Sequence, residues 1–204
     1  MKICILGAGK VGKALGLQWV KAGHNVTFGV RDPGSPASPA FAAVTTISEA
    51  ASDSEAILLS VPSKSIEAVL KSLPALTGQV LLDCSNPQHP MQHVSGLPEL
   101  SMAESIAQWK PEAKVVKIFN TVGFEVLANP NFDGVRATMF YCCDDAEAAL
   151  IAATLATDAG FEPQLAGGLK SAMMLENLTS LWGALAYGQK LGRGLAVKLL
   201  VRPE

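Results

Sequence analysis

Short runs of apolar residues alternate along this chain with longer stretches in which apolar residues recur every three to four positions, the signatures of strand and helix. Lys2–Leu6 reads as a strand and residues 11–22 as a helix, with Gly23 as its stop. Asn25–Val30 is a second strand, in which Val26, Phe28 and Val30 share one face. After a turn-rich loop over 33–39, residues 44–46 form a short strand, and Thr46 with Glu49 has the spacing of a capping box before a short helix. Residues 56–61 are a strand stopped by Pro62, 65–73 a helix and 79–83 a strand. The stretch 85–100 is irregular and Pro-rich, and loops of that length are more often functional than accidental. Ser101 with Glu104 caps a helix running to Trp109, followed by a strand over 114–119 and a short helix over Phe124–Ala128. A strand over 136–143 leads to a helix over 146–159 capped by Asp144 with Glu147, then a strand over 161–165 and a last, longest helix over 170–191.

Strands alternating with helices predict a mainly parallel α/β sheet with helices on both faces. The continuous apolar strands AILLSV and VLLD fit burial from both sides. No repeat and no linker divides the chain, so one domain is expected over 1–204, with 144–204 a C-terminal α/β extension ending in the long helix. At 49% hydrophobic and 17% charged residues, the composition is that of a globular core. The net charge of −2 and the lack of a basic stripe exclude a nucleic-acid footprint. The first apolar run is broken by glycine at once, unlike a signal peptide, and no stretch approaches a membrane span, so a cytoplasmic location is expected. The cysteines Cys4, Cys84, Cys142 and Cys143 lack metal-ligand spacing and read as buried, reduced thiols; no metal is expected. Alternation would point Cys142 and Cys143 to opposite faces, which leaves a redox pair as the lesser reading.

The chemistry concentrates at strand ends. Gly7-Ala8-Gly9-Lys10-Val11-Gly12 matches G-x-G-x-x-G, and it follows a strand and opens a helix, the context that gives this motif meaning. Gly7 permits the tight turn, Gly9 lets the backbone approach a pyrophosphate, and Gly12 lets the helix pack on the strand. The helix amino terminus then offers free N–H groups and a positive dipole end. The fold class expected is therefore a Rossmann-type doubly wound sheet. The second strand ends in Val30-Arg31-Asp32, where Arg31 suits a 2′-phosphate and Asp32 suits the turn with Pro33 and Gly34, so NADP is favoured over NAD. Ser63 and Asn86 sit at two further strand ends, with turn stabilisation as the alternative to contact with ribose or nicotinamide.

The segments GAGKVG, GVRDP, SVPS, DCSNP, KIFNTVGFEVLANP, MFYCCDDAEA and LENLTSLWGALAYG resemble the NADPH-dependent coenzyme F-420 reductase family, which is related to the cytosolic domain of membrane ferric reductases. The resemblance runs over nearly the whole chain. It implies hydride passing between NADPH and a deazaflavin stacked near the nicotinamide, under the C-terminal segment. It matches Gly7, Gly9, Lys10, Val11 and Gly12 to the pyrophosphate loop, Arg31 to the 2′-phosphate arginine, and Ser60, Val61 and Pro62 to the adenosine-side loop. Asn86, Pro87, Asn120, Thr121 and Val122 match the surroundings of nicotinamide and acceptor. Where the family often has Ser before that arginine, this chain has Val30.

The expected partner is a small planar redox acceptor, coenzyme F-420 or a flavin. Hydride transfer between two rings needs little acid–base help, so no catalytic residue is assigned. His24 reads as a surface turn residue; His89 and His93, in the irregular loop, are either solvated or proton donors to the acceptor. A dehydrogenase or imine reductase of the hydroxyacid or pyrroline-carboxylate type shares the N-terminal pattern, but 144–204 leaves little room for its helical substrate domain. A nucleotide-binding sensor without catalysis is the third reading. Met174, Leu178, Leu181 and Leu185 form an apolar stripe on the last helix, which predicts a homodimer through that helix, with a core helix as the alternative.

Overall fold

A computed structural model of the chain describes residues 1–36, 38–86 and 100–202. Six strands, β1 (Lys2–Leu6), β2 (Asn25–Val30), β3 (Ala43–Thr46), β4 (Ala56–Leu59), β5 (Val80–Asp83) and β6 (Lys114–Lys117), form one sheet in the order β3-β2-β1-β4-β5-β6. All five pairings are parallel. The order reverses at β1, between β2 and β4, which opens a crevice at the carboxyl ends of the strands. The register pairs Leu6 with Gly29 and with Leu59, Leu59 with Asp83, and Asp83 with Lys117. The residues that follow each strand therefore emerge side by side.

Period-two alternation gives the inner strands two buried faces. Ile3, Ile5, Leu58 and Leu82 pack under α1 (Lys10–Lys21), α5 (Phe124–Ala128) and α6 (Ala146–Asp158) through Leu15, Trp19, Val126 and Leu155. Cys4, Leu6, Ile57 and Leu81 pack under α2 (Ile47–Ser52), α3 (Ile66–Ser72), α4 (Met102–Trp109) and α7 (Ala172–Gly183) through Ala50, Leu70, Ile106 and Leu175. Each buried Leu, Ile or Val among them contributes about 1.5–3 kcal/mol by leaving water. Trp19 keeps its indole N–H satisfied inside the core by donating to Leu155 O at 2.9 Å. Helix α1 ends as its glycine implies: Gly23 turns at φ 89, His24 N donates to Trp19 O and Gly23 N to Val20 O, so two carbonyls orphaned by the helix end are capped.

Several boundaries differ from the sequence pattern. Strand β4 stops at Leu59, two residues short of the expected end, because Ser60 and Val61 turn away beside the first glycine loop. Strand β6 stops at Lys117, which bridges antiparallel to Cys142, and Phe119 takes φ 63. The segment read as a strand over 136–143 is divided: Arg136 closes a small hairpin of β7 (Asn131–Phe132) and β8 (Val135–Arg136), while β9 (Thr138–Tyr141) pairs with β10 (Glu162–Leu165). The cap of α6 is Asp145, accepting from Ala148 N at 2.8 Å, and not Asp144, which accepts from Leu169 N at 2.9 Å. Glu147 instead pairs with Lys114 at 2.5 Å. The last helix is shorter than 170–191: α7 continues only through one π turn, Ala184–Gly188.

Candidate functional site

The glycine loop leaves β1 at Leu6 and enters α1 at Lys10. Gly7 stands at φ 99, a conformation that favours glycine, and its amide donates to Gly29 O of β2 at 3.0 Å. A Cβ on Gly12 would lie 2.6 Å from Gly7 O and 2.9 Å from Ile5 Cγ2, so only glycine lets α1 sit this close to β1. At Gly9 a Cβ would meet nothing within 4 Å, which leaves the outer side of the loop open. Gly9 is the N-cap, no side chain caps α1, and its first turn carries no acid. The N–H groups of Lys10, Val11 and Gly12 have no acceptor within the helix, and exposed Lys10 adds a cation. These features fit a dinucleotide pyrophosphate.

Beyond β2, Arg31 is exposed, whereas Asp32 is engaged: its Oδ1 accepts from Gly34 N at 3.1 Å, an Asx turn. One oxygen of the acid that would favour NAD is thus held in the turn, and the Arg31 guanidinium stands exposed beside it. Beyond β4, Ser60 and Val61 abut the glycine loop: Ser60 O lies 2.5 Å and Val61 Cγ1 3.0 Å from where a Gly7 Cβ would stand, and Ser60 Oγ 3.0 Å from one on Gly12. Pro62 is exposed, and half-buried Ser63 opens the short 3₁₀ turn Ser63–Ser65.

Beyond β5 and β6 the structure brings Asn86 to Asn120. Asn86 Nδ2 donates to Asn120 O at 3.0 Å, and Asn120 Nδ2 approaches Asn86 Oδ1 and Leu175 O at 3.0 Å and Thr179 Oγ1 at 3.1 Å. Thr179 Oγ1 donates in turn to Asn120 O at 2.9 Å. The Asn120 side chain is therefore turned into the protein and joins β5, β6 and α7. Thr121 is buried beside it, while Asn86 and Val122 are half-buried. Pro87, His89 and His93 lie outside the described residues.

The C-terminal segment meets this edge at Gly123. Arg193 O and Trp182 Cζ2 each lie 3.1 Å from where a Gly123 Cβ would stand, so this glycine admits the chain's own C-terminal segment. Arg193 lies over Phe124, Trp182 and Tyr187, 5.2–6.0 Å from their ring centres, and Lys10 Nζ is 4.7 Å from the centre of Phe124. Arg193 Nε donates to Glu125 Oε1 at 2.7 Å, which holds that carboxyl below its ordinary value.

The sequence pattern missed one cluster. Lys117, at the end of β6, is fully buried against Asp83 of β5 and Glu176 of α7, both at 2.8 Å. Burial by itself would lower the Lys117 ammonium; the two carboxylates outweigh it and hold it above its ordinary value. The available signal was a charge in each of three apolar segments, VLLD, KVVKIF and MMLENL.

Burial keeps the thiols protonated. Burial pushes Cys4, Cys84 and Cys142 up to about 12 and also raises Cys143. Cys142 and Cys143 face opposite layers of the core, and all four cysteines are free. His24 is not a plain surface turn residue: its side chain is largely buried and Nε2 meets Asp158 Oδ2 at 2.8 Å. Among the described residues no group of His, Cys, Asp and Glu is placed to hold a metal, and no helix is long and apolar enough to cross a membrane. A polar pocket of about 150 Å³ lined by Lys2, Asn25, Glu49 and Asp53 lies at the opposite, amino edge of the sheet and has no part in this site.

Comparison with known proteins agrees with the resemblance. The family model for NADP oxidoreductase, coenzyme F420-dependent, matches residues 2–87, which hold the glycine loop, Arg31 and the ends of β4 and β5. The metalloreductase STEAP2 of mouse and of human is 28% identical over 176 residues, 85% of this chain. The chain spans only 35% of the length of those curated relatives. A solved structure from Arthrobacter sp. FB24, described as a candidate F420-dependent NADP reductase, superposes with a TM-score of 0.86 at 28% identity, covering 98% of this chain and 100% of that one. A reductive aminase from Aspergillus terreus shares the fold, with a TM-score of 0.68 at 20% identity over 93% of this chain and 62% of its own. The chain is thus similar to the coenzyme F-420-dependent NADP oxidoreductases, and the class read from its motifs, an NADP-dependent oxidoreductase, is the class that the family model names.

Proposed function

We propose that this protein is an NADPH-dependent reductase whose acceptor is a planar deazaflavin, coenzyme F-420, or a flavin. One observation carries the reading: an uncapped glycine-loop helix, a free Arg31 and the ends of β4, β5 and β6 stand in one row along the carboxyl edge. When bound, NADPH supplies the hydride and the acceptor ring takes it. The residues of the chain bind, orient and exclude water. The N–H groups of Lys10, Val11 and Gly12 receive the pyrophosphate, Arg31 the 2′-phosphate, and Ser60, Val61, Pro62 and Ser63 line the path between them and the nicotinamide. Asn86, Thr121 and Val122, backed by Asn120, form the wall beside the two rings, which Trp182 and Tyr187 help to close from water.

Stereospecific labelling tests this. NADPH deuterated on one face of nicotinamide C4 is expected to react more slowly with a deazaflavin or a flavin, and only that face should transfer its label. A deazaflavin retains the label on its ring carbon, whereas a flavin loses it from nitrogen to solvent. Reduction of neither acceptor above the rate without protein overturns the proposal, and a nucleotide-binding role without catalysis takes its place.

A further inference from the structure

The buried cluster at the end of β6 lies behind the wall of Asn86, Asn120 and Thr121 and touches neither the glycine loop nor Arg31. Besides Asp83 Oδ2 and Glu176 Oε1, Lys117 Nζ donates to Ser85 O at 2.6 Å, so one ammonium joins the ends of two strands to the middle of α7. Glu176 Oε1 also accepts from Met102 N at 3.0 Å, at the start of α4. Glu176 Oε2 and Ser85 Oγ are buried without a hydrogen-bond partner among the described residues. Buried charges are costly to desolvate, and an apolar trio of similar volume is often as stable or more so. What the charged trio adds is a single geometry, because α7 cannot slide or rotate without stranding a buried charge. One turn along α7 from Glu176, Thr179 bonds Asn120, and Trp182 beyond it lies against Gly123. The seat of α7 therefore sets the wall beside Asn86, Thr121 and Val122, whereas the NADPH half is built on α1 and β2.

We propose that Lys117 and Glu176 are positioning residues: their ion pair seats α7 against the ends of β5 and β6 and so shapes the acceptor half of the site, leaving the NADPH half unchanged. This rests on the reductase reading. Glu176→Leu leaves Lys117 paired with Asp83, so no ammonium is stranded. In that variant the Kd for NADPH should stay within about twofold of the wild type while the KM for a flavin or deazaflavin rises about tenfold or more. Amide hydrogen exchange should quicken about tenfold across residues 172–183 and not in α1. Glu176→Gln, which keeps an acceptor for Lys117, should bring the acceptor KM back to within about threefold. Both constants unchanged in folded Glu176→Leu, or both weakened equally, overturns the proposal. If Glu176→Leu does not fold, the neutral set Asp83→Asn, Lys117→Met and Glu176→Gln carries the same comparison. A wild type that binds NADPH yet reduces neither acceptor overturns the reductase reading instead. The exchange of residues 172–183 then decides the positioning alone, and an unchanged rate overturns it.

Discussion

We propose that cofactor choice rests on two neighbouring residues at the end of β2. Asp32 accepts from Gly34 N with one carboxylate oxygen, and Arg31 is exposed beside it. A bidentate, charge-assisted contact from Arg31 to a 2′-phosphate is worth roughly 1.5–3 kcal/mol. Arg31→Ala should then weaken NADPH binding about 10- to 150-fold and NADH binding little, as read by titration of each cofactor. An equal loss for both would remove Arg31 from the 2′-phosphate. At this scale the glycine loop was legible because its spacing and its context are local. Asn120 was legible only as a position: its amide turned out to be bonded to Asn86, Leu175 and Thr179, partners up to 59 residues away.

The elements owe their ends to local chemistry wherever a cap is present. Both capping boxes expected from spacing, Thr46 with Glu49 and Ser101 with Glu104, form as reciprocal pairs. Ser101 is fully buried, and its Oγ accepts from Glu104 N at 3.2 Å. Ser101→Ala should lower unfolding free energy by about 1 kcal/mol, the usual worth of a lost N-cap, measured as a lower urea midpoint at unchanged slope. No change in midpoint would mean that α4 is held by packing alone. At the start of α6 the sequence offers two caps, because Asp144 and Asp145 both satisfy the cap rule. The choice is made by Leu169, whose amide takes Asp144 from 25 residues away. Likewise, β6 ends early where Phe119 leaves the extended conformation at φ 63, just past a bridge between Lys117 and Cys142 that no local pattern reports.

For the molecule as a whole, the last helix raises the question of a second copy. Its buried face is Ala172, Leu175, Glu176 and Trp182, while Met174 and Leu181 of the apolar stripe are 70% and 55% exposed. An outward stripe at spacings of four, three and four residues is self-complementary across a two-fold axis, so we expect a symmetric dimer through α7. Light scattering at micromolar concentration should give twice the 21.3 kDa chain mass. A mass of 21.3 kDa would leave the stripe uncovered and refute the dimer.

The sequence by itself determined the alternation of strands and helices, the parallel sheet, the glycine loop with its helix and the place of Arg31. Each of these depends on residues within a turn or a strand of one another, where periodicity and backbone preference act directly. Only the tertiary structure decided that Asp83, Lys117 and Glu176 form one buried cluster, that Asn86 and Asn120 pair, and that Arg193 returns to Gly123 and Phe124. These contacts join residues 34 to 70 positions apart in the sequence. They exist because strand order and register bring β5, β6 and α7 together, and the cost of burying a charge or an amide then selects the partner that satisfies it.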